Sequence, residues 1–155
     1  METDVVILGS GASALTAALA ANGHGSDVMV FEKADKIGGT SAWSGGMIWV
    51  PNNPHMIAAG IKDSREEALT YLQSLSHDLI RPELAESFVD HGPEMVSWLE
   101  ENTSVKFQLV ADFPDYHPEH PGGKPTGGRS LECPLISFND LGDNKDRVTV
   151  GYNYG

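Results

Sequence analysis

Four apolar, mostly β-branched residues, Val5-Val-Ile-Leu8, run directly into Gly9-Ser-Gly11-Ala-Ser-Ala14, and that junction constrains the fold more than any other feature of the chain. A short apolar run without alternation is the pattern of a central parallel strand covered on both faces. From Ser13 to Ala21 alanines dominate, with Leu15 and Leu19 four apart. That suits a helix lying close on a sheet, and Gly23 and Gly25 supply its stop. A second apolar run, Val28 to Phe31, closes on Glu32. Strand, glycine turn, helix and strand within about thirty residues make a βαβ unit with a right-handed crossover.

Each small residue of the turn has a task at this spacing. Gly9 permits the tight turn, Gly11 lets backbone approach a pyrophosphate, and Ala14 lets the helix lie near the strand. A diphosphate would then rest on the helix N-terminus, where N–H groups and the macrodipole favour negative charge. Glycine also serves purely structural strand-to-helix turns, so the confirming feature is Glu32, 23 positions beyond Gly9. A carboxylate there accepts hydrogen bonds from a ribose hydroxyl and disfavours a 2'-phosphate, which sets NADP aside. The fold class expected is α/β, a Rossmann-like dinucleotide-binding βαβ domain. After Glu32-Lys33 comes Gly38-Gly-Thr-Ser-Ala-Trp-Ser-Gly-Gly46. Its glycine pairs frame the hydroxyls of Thr40, Ser41 and Ser44, an arrangement suited to a ligand whose phosphates lead into a further group.

Beyond that loop, Ser64 and Glu67 form a capping box, followed by Ala68, Leu69, Leu72, Leu75 and Leu79 at helical spacing. Pro82 to Asp90 and Pro93 to Glu101 read as two short helices, each opened by a proline. Val105 to Val110 reads as a strand. From Asp112 to Gly128 prolines, glycines and aromatics predict a long ordered loop, and such loops tend to be functional. Arg147 to Val150 with the following Gly-Tyr-Asn-Tyr-Gly fits either a last short strand or a frayed tail.

Charge and cysteine content narrow the partners. Twenty-two acidic residues against ten basic ones give a net charge of −12, a field that repels nucleic acid and anionic membrane surfaces. The single cysteine, Cys133, excludes an internal disulfide and a cysteine zinc cluster. The run from Val5 to Leu8 is too short to span a bilayer, and acidic Glu2 and Asp4 stand where a secretory signal carries positive charge. A cytoplasmic location is expected. His117-Pro-Glu-His120 contains zinc-type ligands, but Pro118 works against a helical arrangement and no further partner is evident, so no metal is expected.

Taken together, Val5 to Ala18, Phe31 to Asn53, Pro93 to Glu101, Phe113-Pro-Asp-Tyr-His-Pro-Glu, Pro121-Gly-Gly and Gly128-Arg-Ser-Leu resemble the fumarate reductase and succinate dehydrogenase type of FAD-dependent flavoprotein. Within it they resemble the 3-ketosteroid dehydrogenases most. The resemblance implies that Gly9, Gly11, Ser13 and Ala14 line the FAD diphosphate and that Glu32 and Lys33 face the adenosine ribose. Gly39, Thr40, Ser41, Ser44, Gly45 and Gly46 would follow the path toward the isoalloxazine. No histidine occupies the segment where some relatives attach flavin covalently, which implies non-covalent FAD. Tyr116 stands where that family places a substrate-pocket tyrosine in a Pro-Asp-Tyr setting. Its members remove a proton to a tyrosine-based pair and a hydride to flavin N5 from adjacent ring carbons. As a phenol of pKa near 10, Tyr116 would act as the supporting member of a hydrogen-bonded pair; the alternative is a loop anchor. Arg129 is expected to orient the loop rather than reach a phosphate.

Members of that family are several hundred residues long, with a substrate domain, a proton-accepting tyrosine and ketone-polarising groups later in the chain. The expectation is therefore a fragment, a truncated product, or a chain completed by another, with two parallel strands exposing apolar edges. Three readings follow: a flavoenzyme portion acting on a small-molecule substrate, a steroid or similar; a fumarate-reductase type needing arginine clamps, for which only Arg65, Arg81, Arg129 and Arg147 are available; and a non-catalytic nucleotide-binding fragment.

Overall fold

The computed structural model describes residues 2–151, whose elements fall into two units. The first unit comprises Met1–Gly46 and Leu135–Gly155. In it β1 (Val5–Leu8), α1 (Ala12–Gly23) and β2 (Val28–Phe31) form the expected βαβ unit. The strands pair in parallel from Val5↔Val28 to Leu8↔Phe31, and α1 packs on both. The Gly9 N–H donates to the Phe31 carbonyl at 2.6 Å, carrying the ladder one step into the turn.

Full coverage of β1 on both faces is not what the structure holds. Val5 and Ile7 are half-buried, whereas Val6 and Leu8 are 55% and 79% exposed, and Phe31 is 53% exposed. The reason is architectural: among the described residues this sheet has two strands and one packed helix. The exposed apolar strand surface anticipated from the sequence is present. A 3-10 turn at Gly39–Trp43 follows β2. Near the C-terminus, 3-10 turns over Phe138–Arg147 break at Gly142. Val148 then makes a single parallel bridge with Ile37, through Ile37 N–H to Arg147 O and Thr149 N–H to Ile37 O, both 2.8 Å. The segment is thus a bridge rather than a strand, and most of the closing Gly-Tyr-Asn-Tyr-Gly lies outside the described residues.

The second unit, Met47–Pro134, holds β3 (Ile48–Trp49), α2 (Pro54–Ala58), α3 (Arg65–Ser76), α4 (Pro82–Asn102), β4 (Gln108–Leu109) and β5 (Ser130–Glu132). The three strands form an antiparallel sheet in the order β3-β5-β4. Val50, Val96 and Leu131 centre its core, with Ile48, Met95, Phe107 and Leu109 packed around them. Asn53, fully buried, caps α2 by accepting from Met56 N–H at 2.8 Å and donates to the Val50 and Gly128 carbonyls. Ser64 caps α3 as expected, accepting from Glu67 N–H at 3.1 Å.

Two helical expectations are corrected. α3 stops at Ser76 because His77 turns left-handed at φ +47°, which leaves Leu79 beyond the helix and 85% exposed. The two short helices expected on either side of Pro93 are one continuous α4. An interior proline costs a helix about 3 kcal/mol. Val89, Val96 and Leu99 are buried on one stripe of α4, and each side chain buried contributes roughly 1.5–3 kcal/mol, so packing outweighs the break. The expected strand from Val105 to Val110 shrinks to Gln108–Leu109, the residues that find a partner on β5.

Candidate functional site

In the first unit the turn after β1 is built by interlocking two glycine-containing segments. Gly9 adopts φ +96°, a conformation that L side chains rarely take. Ser10 is buried, and its hydroxyl donates to Glu32 Oε2 at 2.5 Å while accepting from Gly38 N–H at 3.0 Å. Ser41 Oγ accepts from Ala12 N–H at 3.0 Å, satisfying a first-turn donor of α1. Gly39, at φ +53°, lies so near that a Cβ on it would come 3.3 Å from both Gly11 N and Gly11 Cα. Ser44 steadies the following turn, donating to Ser41 O at 2.8 Å and accepting from Gly46 N–H at 3.2 Å.

Glu32 has one oxygen on Ser10 and the other on Ala34 N–H at 2.9 Å. The Ser10 hydroxyl first, then the Ala34 N–H, holds its carboxyl below the usual range. It is therefore a carboxylate at neutral pH, with lone pairs left for a further donor. A groove of about 430 Å³ opens here, lined by Leu8, Gly9, Phe31, Glu32 and Lys33. No acidic residue sits in the first turn of α1, so its positive end is left for an anion. Ser13 is exposed and Ala14 half-buried on that first turn, while Thr40 and Gly45 are exposed along the second segment. The structure thus brings Gly9, Gly11, Glu32, Gly39 and Ser41 together, and Ser10 is the joint that motif reading passed over. Its signal was its position between the two glycines, facing a carboxylate.

In the second unit the loop from Asp112 to Gly128 is held by a buried ion cluster. Arg129 is fully buried and donates to Asp63 at 2.9 and 2.6 Å, to Asp115 Oδ2 at 2.9 Å and to the Gly122 carbonyl at 2.9 Å. Asp115 also accepts from Trp49 Nε1 at 2.6 Å and from Lys124 N–H at 2.9 Å. The guanidinium lies over the Trp49 and Tyr71 rings, 5.2 and 5.7 Å from their centroids. Burial alone would push the Asp63 carboxyl up, but the Arg129 hydrogen bonds and charge outweigh it and hold it below the usual range. Arg129 therefore has the loop-orienting role expected of it, and its aspartate partners were not foreseen because the contacts span 66 and 14 residues.

Tyr116 follows the anchored Asp115 directly, is 82% exposed, and sets its ring edge-on to Phe113 at 6.0 Å. It shares a groove of about 600 Å³ with Trp49, Tyr71, Leu72, Leu75 and His117. The other arginines are also engaged: Arg65 with Asp90 and Glu86, Arg81 with Glu83, and Arg147 with Asn144. His117, Glu119 and His120 have ligand atoms within 4.8 Å of one another, brought together by a turn rather than a helix. Cys133 is exposed. Among the described residues no helix is long and apolar enough to cross a membrane.

A parallel βαβ unit whose glycine turn opens a helix, with a carboxylate at the end of the second strand, defines a dinucleotide-binding site. The chain matches the FAD binding domain family over residues 4–152 and belongs to it. It is 43% identical over 151 residues to a 3-oxosteroid 1-dehydrogenase of Mycobacterium tuberculosis (strain ATCC 25618 / H37Rv), covering 97% of this chain and 27% of that one. To a 4-oxocyclohexanecarboxylate 2-dehydrogenase of Sinomonas cyclohexanicum it is 46% identical over 146 residues, covering 94% and 25%. The structure of a 3-ketosteroid delta1-dehydrogenase from Sterolibacterium denitrificans, in complex with 1,4-androstadiene-3,17-dione, superposes with a TM-score of 0.89 at 41% identity. That match covers 97% of this chain and 26% of the other. The chain spans about a quarter of the length of the curated relatives it matches. Its cofactor is a flavin, and the cradle fits one: close backbone at Gly11 and Gly39, an acid-free helix start, and an open groove at Glu32.

Proposed function

We propose that this chain is the FAD-holding portion of an oxidoreductase that removes hydrogens from adjacent carbons of a cyclic ketone, a 3-ketosteroid or a smaller oxocyclohexane. The observation that carries the reading is the interlock of Gly9–Gly11 with Gly38–Ser44 through Ser10 and Ser41. It supports a diphosphate held by backbone N–H groups at the start of α1, with Glu32 accepting from the ribose. The substrate class is supported by the relatives' names, which share a ring ketone. Engagement of Arg65, Arg81 and Arg129 with carboxylates favours it over a dicarboxylate substrate needing free arginine clamps.

In this reading Gly9, Gly11, Ser13 and Ala14 take the diphosphate, and Glu32 with Lys33 takes the ribose. Gly39, Thr40, Ser41, Ser44, Gly45 and Gly46 lead toward the flavin ring. FAD, held without a covalent bond, supplies the hydride acceptor. Tyr116, next in the chain to the anchored Asp115, supports a phenolate partner that takes the proton. Further polypeptide covers the exposed apolar surface of β1 and β2 and completes the substrate pocket. A cytoplasmic location is part of the same proposal.

The test is the absorbance spectrum of the purified chain after incubation with FAD and removal of free ligand. Retained, shifted flavin bands are expected, weakened at least tenfold in affinity by Gly11→Val, Glu32→Ala or Ser10→Ala, and acid precipitation should release the flavin intact. A folded chain that retains no flavin, or whose retention ignores all three substitutions, overturns the reading; flavin that stays with the acid-precipitated protein overturns non-covalent binding alone.

A further inference from the structure

The turn carrying Tyr116 holds a second constellation that the flavin reading does not use. Two imidazoles and a carboxylate, from His117, Glu119 and His120, place ligand atoms within 4.8 Å of one another. His117 Nδ1 and Glu119 Oε1 are already 3.3 Å apart. A tetrahedral zinc ion with bonds near 2.0–2.1 Å sets its ligand atoms about 3.3 Å apart, so this edge is formed and one imidazole remains to swing in. His120 Nδ1 is engaged by Ser74 Oγ at 3.2 Å, which leaves Nε2 to ligate and fixes the ring as hydrogen-bonded partners of metal-binding histidines do.

What separates this cluster from chance surface neighbours is the stiffness of its carrier. The His117 N–H donates to the Tyr71 hydroxyl at 3.2 Å, His120 N–H to His117 O at 3.0 Å, and Gly123 N–H to His120 O at 2.9 Å. Asp115 and Lys124 close the loop on either side, through Asp115 N–H to Lys124 O at 3.1 Å and Lys124 N–H to Asp115 Oδ2 at 2.9 Å. Pro118 fixes one dihedral inside the turn. The backbone is therefore ordered before any ion arrives, and only exposed side-chain rotations remain to be restricted on binding.

We propose that His117, Glu119 and His120 form a binding site for one divalent transition-metal ion of the zinc class. Two nitrogens and one oxygen suit zinc, cobalt, nickel or copper and offer little to magnesium or calcium, which take all-oxygen shells. Three protein ligands leave a fourth position open to water or a ligand group. The proposal stands on the turn alone and is independent of flavin binding.

The test uses the full chain without a histidine tag, stripped of metal by chelator and titrated with Co²⁺, then with Zn²⁺ in competition. Expected is one equivalent of Co²⁺ with the visible absorption of a four-coordinate ion, displaced by one equivalent of Zn²⁺. His117→Gln, Glu119→Gln and His120→Gln should each weaken Zn²⁺ at least tenfold, and Ser74→Ala ~10- to 100-fold. His91→Gln, on the surface of α4, should change nothing. All are exposed or half-buried positions, and circular dichroism verifies the fold of each variant. Absence of a one-equivalent site, or a site as sensitive to His91→Gln as to His120→Gln, overturns the proposal.

Discussion

Replacing Arg129 with methionine removes the charge from the buried cluster while keeping much of the side chain's length and volume. Asp63 and Asp115, each with a side chain only 1% exposed, then lose their counter-charge. Breaking a buried pair by removing one partner costs about 3–5 kcal/mol, because the orphaned charge stays desolvated. Lys124 Nζ, 3.5 Å from Asp63 Oδ1, offsets part of that for Asp63 and none for Asp115, so the full range remains in play. For a chain of this size 1 kcal/mol moves the melting temperature by roughly 2–4 °C. The expected drop is thus ~6–20 °C at pH 7, with a matching fall in urea midpoint by circular dichroism. The sign of the pH dependence follows from Asp63, whose folded-state carboxyl is held below its ordinary value. Its stabilisation is complete above the unfolded value near 3.9 and is lost as pH falls through the lower folded value. In the variant burial acts on Asp63 without the Arg129 counter-charge and raises its carboxyl, so protonation there relieves part of the penalty on acidification. The gap between the two proteins should be widest at neutral pH and narrow toward pH 4. A neutral-pH loss under ~1 kcal/mol, or a gap that widens in acid, would refute the assignment of this cluster as the brace of the loop.

Gly122 sits at φ +77° with a would-be Cβ 2.1 Å from the Glu67 carbonyl oxygen. Gly122→Ala should therefore cost more than ~1 kcal/mol and accelerate amide exchange at His117 and Gly123, and unchanged exchange there would contradict the close packing. Ser64→Ala removes the cap of α3. It should cost about 1 kcal/mol in urea titrations, with faster exchange confined to the first turn of α3; loss spread through α4 would contradict a local role.

What was legible in the sequence followed from local chemistry. The βαβ unit could be read because β1, its glycine turn and α1 are contiguous, and each residue's conformational preference agrees with the others. The Ser64 cap was legible for the same reason. Pro93 misled because a local rule met a distant packing stripe: Val89, Val96 and Leu99 keep α4 continuous by contacts that no window of helix propensity contains. Leu79 misled in the other direction, since the spacing of leucines carries no sign that His77 turns left-handed. The geometry of the turn was legible at Gly9, Gly11 and Glu32, where the motif and the fold agree. Not legible were Ser10, Asp63 and Asp115, whose meaning lies in partners 14 to 66 residues away.

The loop from Asp112 to Gly128 was recognised as ordered from composition, yet composition does not supply the order. Fixing backbone outside regular structure costs about 1–2 kcal/mol per residue, and this stretch contributes no side chain to the apolar core. The compensation comes from charge: one guanidinium, buried between two carboxylates, also holds the Gly122 carbonyl, and Asp115 in turn holds Lys124 N–H and Trp49 Nε1. Tyr116 and the turn of His117, Glu119 and His120 both lie between Asp115 and Lys124, so both depend on that support, to which the turn adds its own bonds to Tyr71 and Ser74. Whatever chemistry each performs, loss of Arg129 should loosen both together, whereas Ser74→Ala should reach only the turn.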